Sequence, residues 1–381
     1  MYCFTIAAMP FRANFAYTLT ARSCGIRLKQ TVAGLAVLAG KNLKQMNIRK
    51  LLIAVSCAMP AIAATAQQDI HVAKYYGDRK AAVSYTFDDG LEEHYTRVFP
   101  ELKRRGLKAT FGIVGSKVGR DMKGTPCLTW AQLRRMAADG QEIASHGWGH
   151  KNVAKLSGEA LRYEVEHNDT AIHDSVGVFP LTYFYPGNRK TPEAVAFCSR
   201  GRITTRTEQV SIGSKRDTRW LQSWVENLLK HGKWGVGMTH GITRGYDAFA
   251  DPQVLWSHFD YVCRLRDSLW IAPLRDVGAY VAERDAVRLK VKQSRGKTIV
   301  RPTLKLDRKL FNRPLTLVIH TSAPVTATQD GQQLNVAMHG TKATMDFDPN
   351  GGEIVIITNV FDKPNEQSQT CLYFAMARKG A

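Results

Sequence analysis

The sequence predicts an α/β chain: a distorted (β/α) barrel of seven or eight strands, followed by a small all-β C-terminal sandwich. Three observations carry that expectation. From residue 81 onward, short apolar β-prone runs alternate with longer amphipathic runs, the order that gives a parallel sheet covered by helices. About seven such units fit into roughly 210 residues, a length at which closure into a barrel is natural. After about Arg284 the apolar period becomes two and turn pairs replace helix caps.

The elements follow in order. Ala81–Phe87 is the first strand, and His94–Arg105 is a helix stopped by Gly106. Ala109–Val114 is a strand. Thr129 caps a helix running to about Asp139, with Gly140 behind it. Glu142–Ser145 is a short strand. Ser157 caps a long helix with Leu161, Val165, Ile172 and Val176 on one stripe. The strand Thr182–Tyr185 precedes a helix that opens at Thr191-Pro192 and stops at Gly201. Ile203–Thr205, Trp220–Lys230 and Trp234–Thr239 continue as strand, helix and strand. Asp251-Pro252 opens another helix, and Leu269–Ala272 is the last strand. An open doubly wound sheet is the other arrangement, but no GxGxxG loop follows the first strand. Val287, Leu289, Val291 and Leu315, Leu317, Ile319 alternate in the last part, with turns at Asp330-Gly331 and Asn350-Gly351-Gly352. The expected boundaries are 67–285 for the α/β domain and 286–381 for the sandwich. The sandwich could bind carbohydrate or serve as a packing or spacer module.

The start of the chain has another texture. Residues 46–66 place Arg49 and Lys50 before an apolar run from Leu51 to about Ala63, then Ala64-Thr65-Ala66. That is the layout of a secretory signal peptide, and the run is too short for a permanent span of roughly 20 residues. Residues 1–45 then read as an upstream extension ahead of a start at Met46. The expectation is export to the periplasm, the cell surface or the medium. The whole chain carries a net charge of +20, and without its first 66 residues it still carries 45 Lys+Arg against 33 Asp+Glu. Such an excess suits anionic envelope polymers or anionic polysaccharide, or is simply a solubility charge. No nucleic-acid-binding motif is present. Cys127, Cys198, Cys263 and Cys371 follow the leader, widely spaced and without a CxxC pair. A thiolate metal site is therefore not expected, while one disulfide or four buried thiols are.

Chemistry gathers where strands end in α/β folds. The first strand ends Thr86-Phe87-Asp88-Asp89-Gly90. Two adjacent carboxylates after an apolar strand repel each other and cost desolvation unless a cation answers them. One can ligate while the other moves a proton. The third strand ends Ser145-His146-Gly147-Trp148-Gly149-His150, a pair of imidazoles flanked by glycines. Two His and one carboxylate leave coordination positions open for water and substrate. The strand at Trp234–Thr239 ends at His240, whose ordinary pKa suits a general acid.

TFDDG, SHGWGH, a Tyr-Pro loop and a strand ending in His together resemble the polysaccharide deacetylase family, the NodB-type catalytic domain of carbohydrate esterase family 4. The resemblance covers roughly residues 80–275. It implies a metal-dependent hydrolase that removes N- or O-acetyl groups from a polysaccharide. Asp89, His146 and His150 are the implied metal ligands, Asp88 the base that deprotonates water, and His240 the acid that protonates the leaving group. Zinc is the first metal expected, with cobalt, nickel or another divalent ion also accepted by the set. Gly187, in the Tyr185-Pro186-Gly187-Asn188 loop, would offer a backbone N–H to the oxyanion, with Tyr185 and Met238 on the substrate side. The family's third motif commonly holds an Arg that pairs with the base, and Phe184 stands there; Arg206 is the candidate substitute. The fourth motif has no clean match among Asp217, Trp220 and Trp224. Trp148, Tyr183, Tyr185 and Trp220 are candidate sugar-stacking rings. His94, His167, His173, His231 and His258 are expected to be surface or packing residues. Two other readings share these residues: a non-hydrolytic metal-containing carbohydrate binder, and a metal-dependent amidase on a non-sugar amide.

Overall fold

A computed structural model of the chain describes residues 69–213, 216–294 and 296–358. The expected leader at 46–66, the stretch 1–45 and Cys371 lie outside the described residues. No helix among the described residues is long and apolar enough to cross a membrane.

A short strand, β1 (Ile70–Val72), precedes the α/β part. The predicted first barrel strand forms as β2 (Ala81–Phe87), with all seven residues buried, as a strand covered on both faces must be. It is followed by β3 (Thr110–Ile113), β4 (Glu142–Ser145), β5 (Thr182–Phe184) and β6 (Thr204–Arg206). A two-residue strand that the periodicity does not mark, β7 (Val210–Ser211), comes before β8 (Trp234–Thr239) and β9 (Leu269–Ile271). The order is β6-β5-β4-β3-β2-β8-β7, every pair is parallel, and β9 joins β2 off that path. On that side β2 is shared: Ala81–Val83 pair with β9, and Thr86–Phe87 pair with Thr110–Phe111. The carboxyl end of β2 therefore sits at the centre of the sheet.

The sheet curls strongly. β6 lies four strands from β2, a span of about 19 Å in a flat sheet at the usual strand spacing. Yet the guanidinium of Arg206 on β6 touches the carboxylate of Asp88 just after β2. The two ends, β6 and β7, are not paired, so this is an eight-stranded barrel left open along one seam. Phe184, Ala144 and Leu274 fill part of its interior with Trp234 and Val236.

Helix ends follow the chemistry of their caps. Thr129 and Gln132 form the reciprocal capping box of the helix Trp130–Ala138. Thr191 and Asp217 accept from Ala194 N and Trp220 N at the starts of the helices Pro192–Cys198 and Thr218–His231. Asp217 is thus a capping residue. Trp224, on the same helix, packs over Gly235 and Gly237 on the outer side of β8, so neither supplies the missing fourth motif. Ser157 stands at its predicted N-cap without a side-chain hydrogen bond. Two predicted helices contain a π-helical turn, His94–Val98 and Tyr163–His167. Such turns bulge a helix outward and are frequent at functional sites. Cys127, Cys198 and Cys263 are free thiols, so no disulfide forms among the described residues.

The all-β part holds β10 (Arg288–Ser294), β11 (Lys297–Thr303), β12 (Leu315–His320) and β13 (Val325–Gln329). It continues with β14 (Gln332–Gln333), β15 (Val336–His339), β16 (Lys342–Phe347) and β17 (Ile354–Thr358). Two antiparallel sheets result, ordered β1-β12-β16-β15 and β10-β11-β17-β13-β14. Leu315, Leu317, Ile319, Val300, Phe347 and Ile356 belong to one buried cluster between them. The strand β1 precedes the barrel in sequence but adds its edge to this sandwich, pairing His71 with Val318. Tyr280, on the helix Leu274–Ala286, joins the same cluster and donates from its hydroxyl to Ala73 O at 2.9 Å.

Glu283 on that helix is fully buried; one oxygen accepts from Arg313 N at 2.9 Å and Oε2 has no hydrogen-bond partner among the described residues. Burial pushes its carboxyl up to about 7. The folded protein therefore holds a proton there that the unfolded chain releases near pH 4.5, and stability falls as pH rises from about 4.5 to 7. Glu283→Gln keeps the acceptor and removes the charge. Urea unfolding at pH 5 and pH 8 is expected to show the variant ahead by up to about 3 kcal/mol at pH 8 only. Equal gaps at both values would rule out this charge as the cause.

Candidate active site

The site forms at the carboxyl ends of β2, β4, β5 and β8, where parallel strands deliver their loops to one rim. Asp89 sits at φ 73° and His150 at φ 56°, left-handed conformations that non-glycine residues adopt at a cost. Both turns aim side chains back over the sheet. The loop carrying the imidazoles is held by Glu164, in the second π-helical turn. Its carboxylate accepts from Gly149 N at 3.0 Å and Lys151 N at 2.8 Å. Asn168 ties the ends of β3 and β4, accepting from Gly115 N and donating to Ile113 O and Ser145 Oγ.

Asp89, His146 and His150 offer ligand atoms that all lie within 4.8 Å of one another. Asp89 Oδ1 is 3.4 Å from His150 Nε2 and 3.6 Å from His146 Nε2. These distances exceed good hydrogen bonds, yet they match the separation of about 3.3 Å between ligands of a tetrahedral centre with bonds of 2.0–2.1 Å. Asp89 Oδ1 is buried and has no hydrogen-bond partner among the described residues, which is expensive without a cation. His146 donates from Nδ1 to Phe184 O at 2.9 Å, leaving the Nε2 lone pair for the shared point. Burial pushes its imidazole down to about 4, so it stays neutral, as a ligand must. The three residues therefore fit a divalent ion.

Asp88 faces the same point with a different partner. Arg206 grips it with two bonds of 2.5 Å, and its Nη1 also donates to Thr86 Oγ1 at 2.8 Å. Arg206 is buried and stacks on Phe184, its Cζ 3.9 Å from the ring centroid. Thus Phe184 supports the candidate arginine, which arrives from β6. Burial alone would raise the Asp88 carboxyl; the Arg206 charge and hydrogen bonds outweigh it and hold the carboxyl well below the usual carboxylate range. Asp88 Oδ2 is 3.8 Å from His146 Nε2 and 3.9 Å from His240 Nε2, so base and acid candidates flank one small space.

His240 is nearly buried, and its Nδ1 has no partner among the described residues. Its backbone is fixed by two residues the sequence did not single out for this. His94 in the first π-helical turn donates from Nε2 to His240 O at 2.7 Å, while burial pushes that imidazole down to about 4. His94 is thus a buried neighbour of the site rather than a surface group. Glu93, beside it, accepts from Ile242 N at 3.0 Å, Thr243 N at 2.8 Å, Arg244 N at 3.3 Å and Thr243 Oγ1. Only folding shows that a carboxylate four residues after Asp89 serves the loop after His240. Glu93→Ala leaves those buried donors unanswered, costing about 1–3 kcal/mol. It is expected to lower turnover roughly 10–100-fold through a misplaced His240. A melting curve, the bound-metal content and the turnover rate check this; unchanged turnover in a destabilised protein would leave Glu93 a purely structural clamp.

The substrate-side residues divide. Met238 is buried on β8 beside Thr86, within the site wall. Gly187 lies exposed at φ 62° in the turn Pro186–Asn188, at the rim. Tyr185 does not offer a ring to substrate. It is buried, its hydroxyl donates to Thr205 Oγ1 at 2.8 Å, and it packs with Tyr183 in a separate cluster. Tyr183 is likewise buried and no stacking surface. An aromatic missed by the sequence reading is Tyr246, 75% exposed and edge-on to His240 at 4.8 Å. Its signal was weak, a tyrosine in the Gly-rich stretch after the strand-end histidine.

Comparison with known proteins matches the same region to a family model. The profile of the polysaccharide deacetylase family matches residues 76–200, which include Asp88, Asp89, His146, His150 and Gly187 but stop before Arg206 and His240. A peptidoglycan-N-acetylglucosamine deacetylase, PgdA, from Listeria monocytogenes is 33% identical over 101 residues, 26% of this chain and 20% of that protein. A chitin deacetylase from Pestalotiopsis sp is also 33% identical over 101 residues, covering 26% of this chain and 32% of its own. This chain therefore spans a fifth to a third of the length of these curated relatives. Among solved structures, the Xyl-CE4 domain of a multidomain xylanase from the hindgut metagenome of Trinervitermes trinervoides is 23% identical. It covers 52% of this chain and 89% of that one, with a TM-score of 0.39.

Proposed function

From the premise that residues 76–200 belong to the polysaccharide deacetylase family, we propose that this chain is a metal-dependent hydrolase that removes acetyl groups from a polysaccharide. The observation that carries the proposal is the convergence of Asp89, His146 and His150 beside an Asp88 already paired with Arg206. Zinc is the first choice for that centre, with cobalt or nickel as substitutes. When bound, such an ion polarises an acyl carbonyl and makes water a better nucleophile.

The chain's own residues supply the rest. Asp88, ionised and held by Arg206, accepts the proton of the attacking water at Oδ2, the oxygen facing His146 and His240. The N–H of Gly187 is the candidate donor to the carbonyl oxygen as charge develops there. His240 donates a proton to the departing amine or alcohol; with His94 and Glu93 holding its backbone, the ring is aimed at the same space. Met238 walls the acetyl methyl, and Tyr246 presents its ring to the sugar. The Arg206–Asp88 pair answers one of the two motives for reading the chain as a non-hydrolytic carbohydrate binder, the absent arginine; the unmatched fourth motif is the other. The signal-type segment at 46–66 makes export part of the same proposal.

The test is acetate release from acetylated chitin oligosaccharides, peptidoglycan fragments and acetylated xylan, before and after dialysis against a chelator. Release is expected to fall to background on chelation and to return with zinc, cobalt or nickel. Release that survives complete metal removal, or no release from any acetylated glycan, would overturn the proposal.

A further inference from the structure

The sandwich carries a feature that the deacetylase chemistry does not use. In β10 the burial alternates, and Arg288, Lys290 and Lys292 face solvent from one side. In β11, Lys297 and Arg301 are exposed on the same face. The register sets Lys290 directly opposite Arg301, and Lys292 opposite Ile299. Lys292 is therefore diagonal to both Lys297 and Arg301, within the reach of long side chains. Arg301 pairs with Glu353, and Arg288 donates to backbone carbonyls of 285–287. Lys290, Lys292 and Lys297 have no carboxylate partner among the described residues.

Like charges placed directly across a ladder destabilise it, and this face gathers five cations within two strands. Next to them runs an aliphatic strip: Ile299 pairs with Val355 and Lys297 with Ile357, which is 39% exposed. Alternate residues along a strand stand about 6.8 Å apart and neighbouring strands about 4.8 Å, so the cations form a grid rather than a point. A grid of cations, three of them without a carboxylate partner among the described residues, beside an open apolar strip fits an extended chain bearing regularly repeated anionic groups and carbon-bound hydrogens. A small anion would use one node of it.

We propose that the outer face of β10 and β11 is a docking surface for an anionic polysaccharide carrying carboxylates along its length, held by Lys290, Lys292, Lys297 and Arg301. The choice of a polysaccharide over other polyanions rests on the deacetylase reading. Binding there would keep the catalytic rim near acetylated segments of a heterogeneous polymer. The contact is electrostatic, so it weakens with salt.

Native gels cast with polygalacturonate, or with neutral hydroxyethylcellulose, test the face on the full protein. The wild type is expected to be retarded by polygalacturonate alone, and less so at raised salt. K290Q/K292Q/K297Q is expected to weaken the apparent Kd roughly tenfold or more, as removal of three cations from a polyelectrolyte contact does. R219Q/K230Q/K233Q removes the same charge from the barrel side and is expected to bind as wild type. K290R/K292R/K297R restores charge at the face and is expected to restore retardation, which separates lost charge from lost fold. Equal loss in both neutralised triple variants would reduce the effect to net charge and overturn the proposal. So would absent retardation of the wild type, or binding only to vesicles of anionic phospholipid. Acetate release from a short neutral acetylated oligosaccharide is expected to be unchanged in K290Q/K292Q/K297Q. If no variant or wild type releases acetate, the deacetylase reading fails while the binding result stands by itself.

Discussion

Asp88→Asn is expected to lower acetate release by about 10²–10⁴-fold while leaving metal content unchanged. The amide keeps the shape of the carboxylate but cannot take a proton from water. It does not touch the three candidate ligand atoms, which belong to Asp89, His146 and His150. Kinetics and elemental analysis on the same preparation decide the matter. Turnover within a few-fold of wild type would remove Asp88 from its assigned role; lost metal would mean that Asp88 belongs to the ligand set instead.

Arg206→Met should have the largest effect on the folded protein. It removes the guanidinium gripping Asp88 and leaves a buried carboxylate without its counter-charge, which costs about 3–5 kcal/mol. The pH dependence has a definite sign. Asp88 is held below its ordinary value of 3.8 in the folded protein, so its contribution to stability is present above that value. It drains away as pH falls further. Without Arg206 the carboxyl moves up, and the acid limb of the kcat/KM profile shifts to higher pH. Denaturant unfolding at pH 7 and a pH–rate profile measure both effects. Arg206→Lys keeps a charge but not the two-pronged grip, and should fall between. A profile that does not move would show that Arg206 is a packing residue.

How much of this was legible beforehand depends on distance along the chain. The strand Ala81–Phe87, the cap at Thr129, and the helix starts at Thr191-Pro192 and near Asp251-Pro252 are local features. Their periodicity and cap chemistry act over a few residues, so they stand openly in the sequence. The candidate metal set was also legible, because Asp88-Asp89 and His146…His150 are each compact motifs placed at strand ends. The two-residue strand Val210–Ser211 was not legible, since it exists only by pairing with β8. Nor was the membership of Ile70–Val72 in the far sandwich, nor the burial of Tyr185, whose aromatic ring reads equally as core or as sugar platform.

Short-range pattern in the sequence was enough for the alternation of strands and helices, the two-part texture of the chain, and the choice of candidate ligands and of a candidate base–acid pair. Tertiary structure alone decided which arginine meets Asp88, that Glu93 and His94 hold the loop of His240, and that five cations of the sandwich share one face. These depend on sheet curl and strand register. Both arise from packing and pairing between residues tens to hundreds of positions apart, for which no local pattern is required.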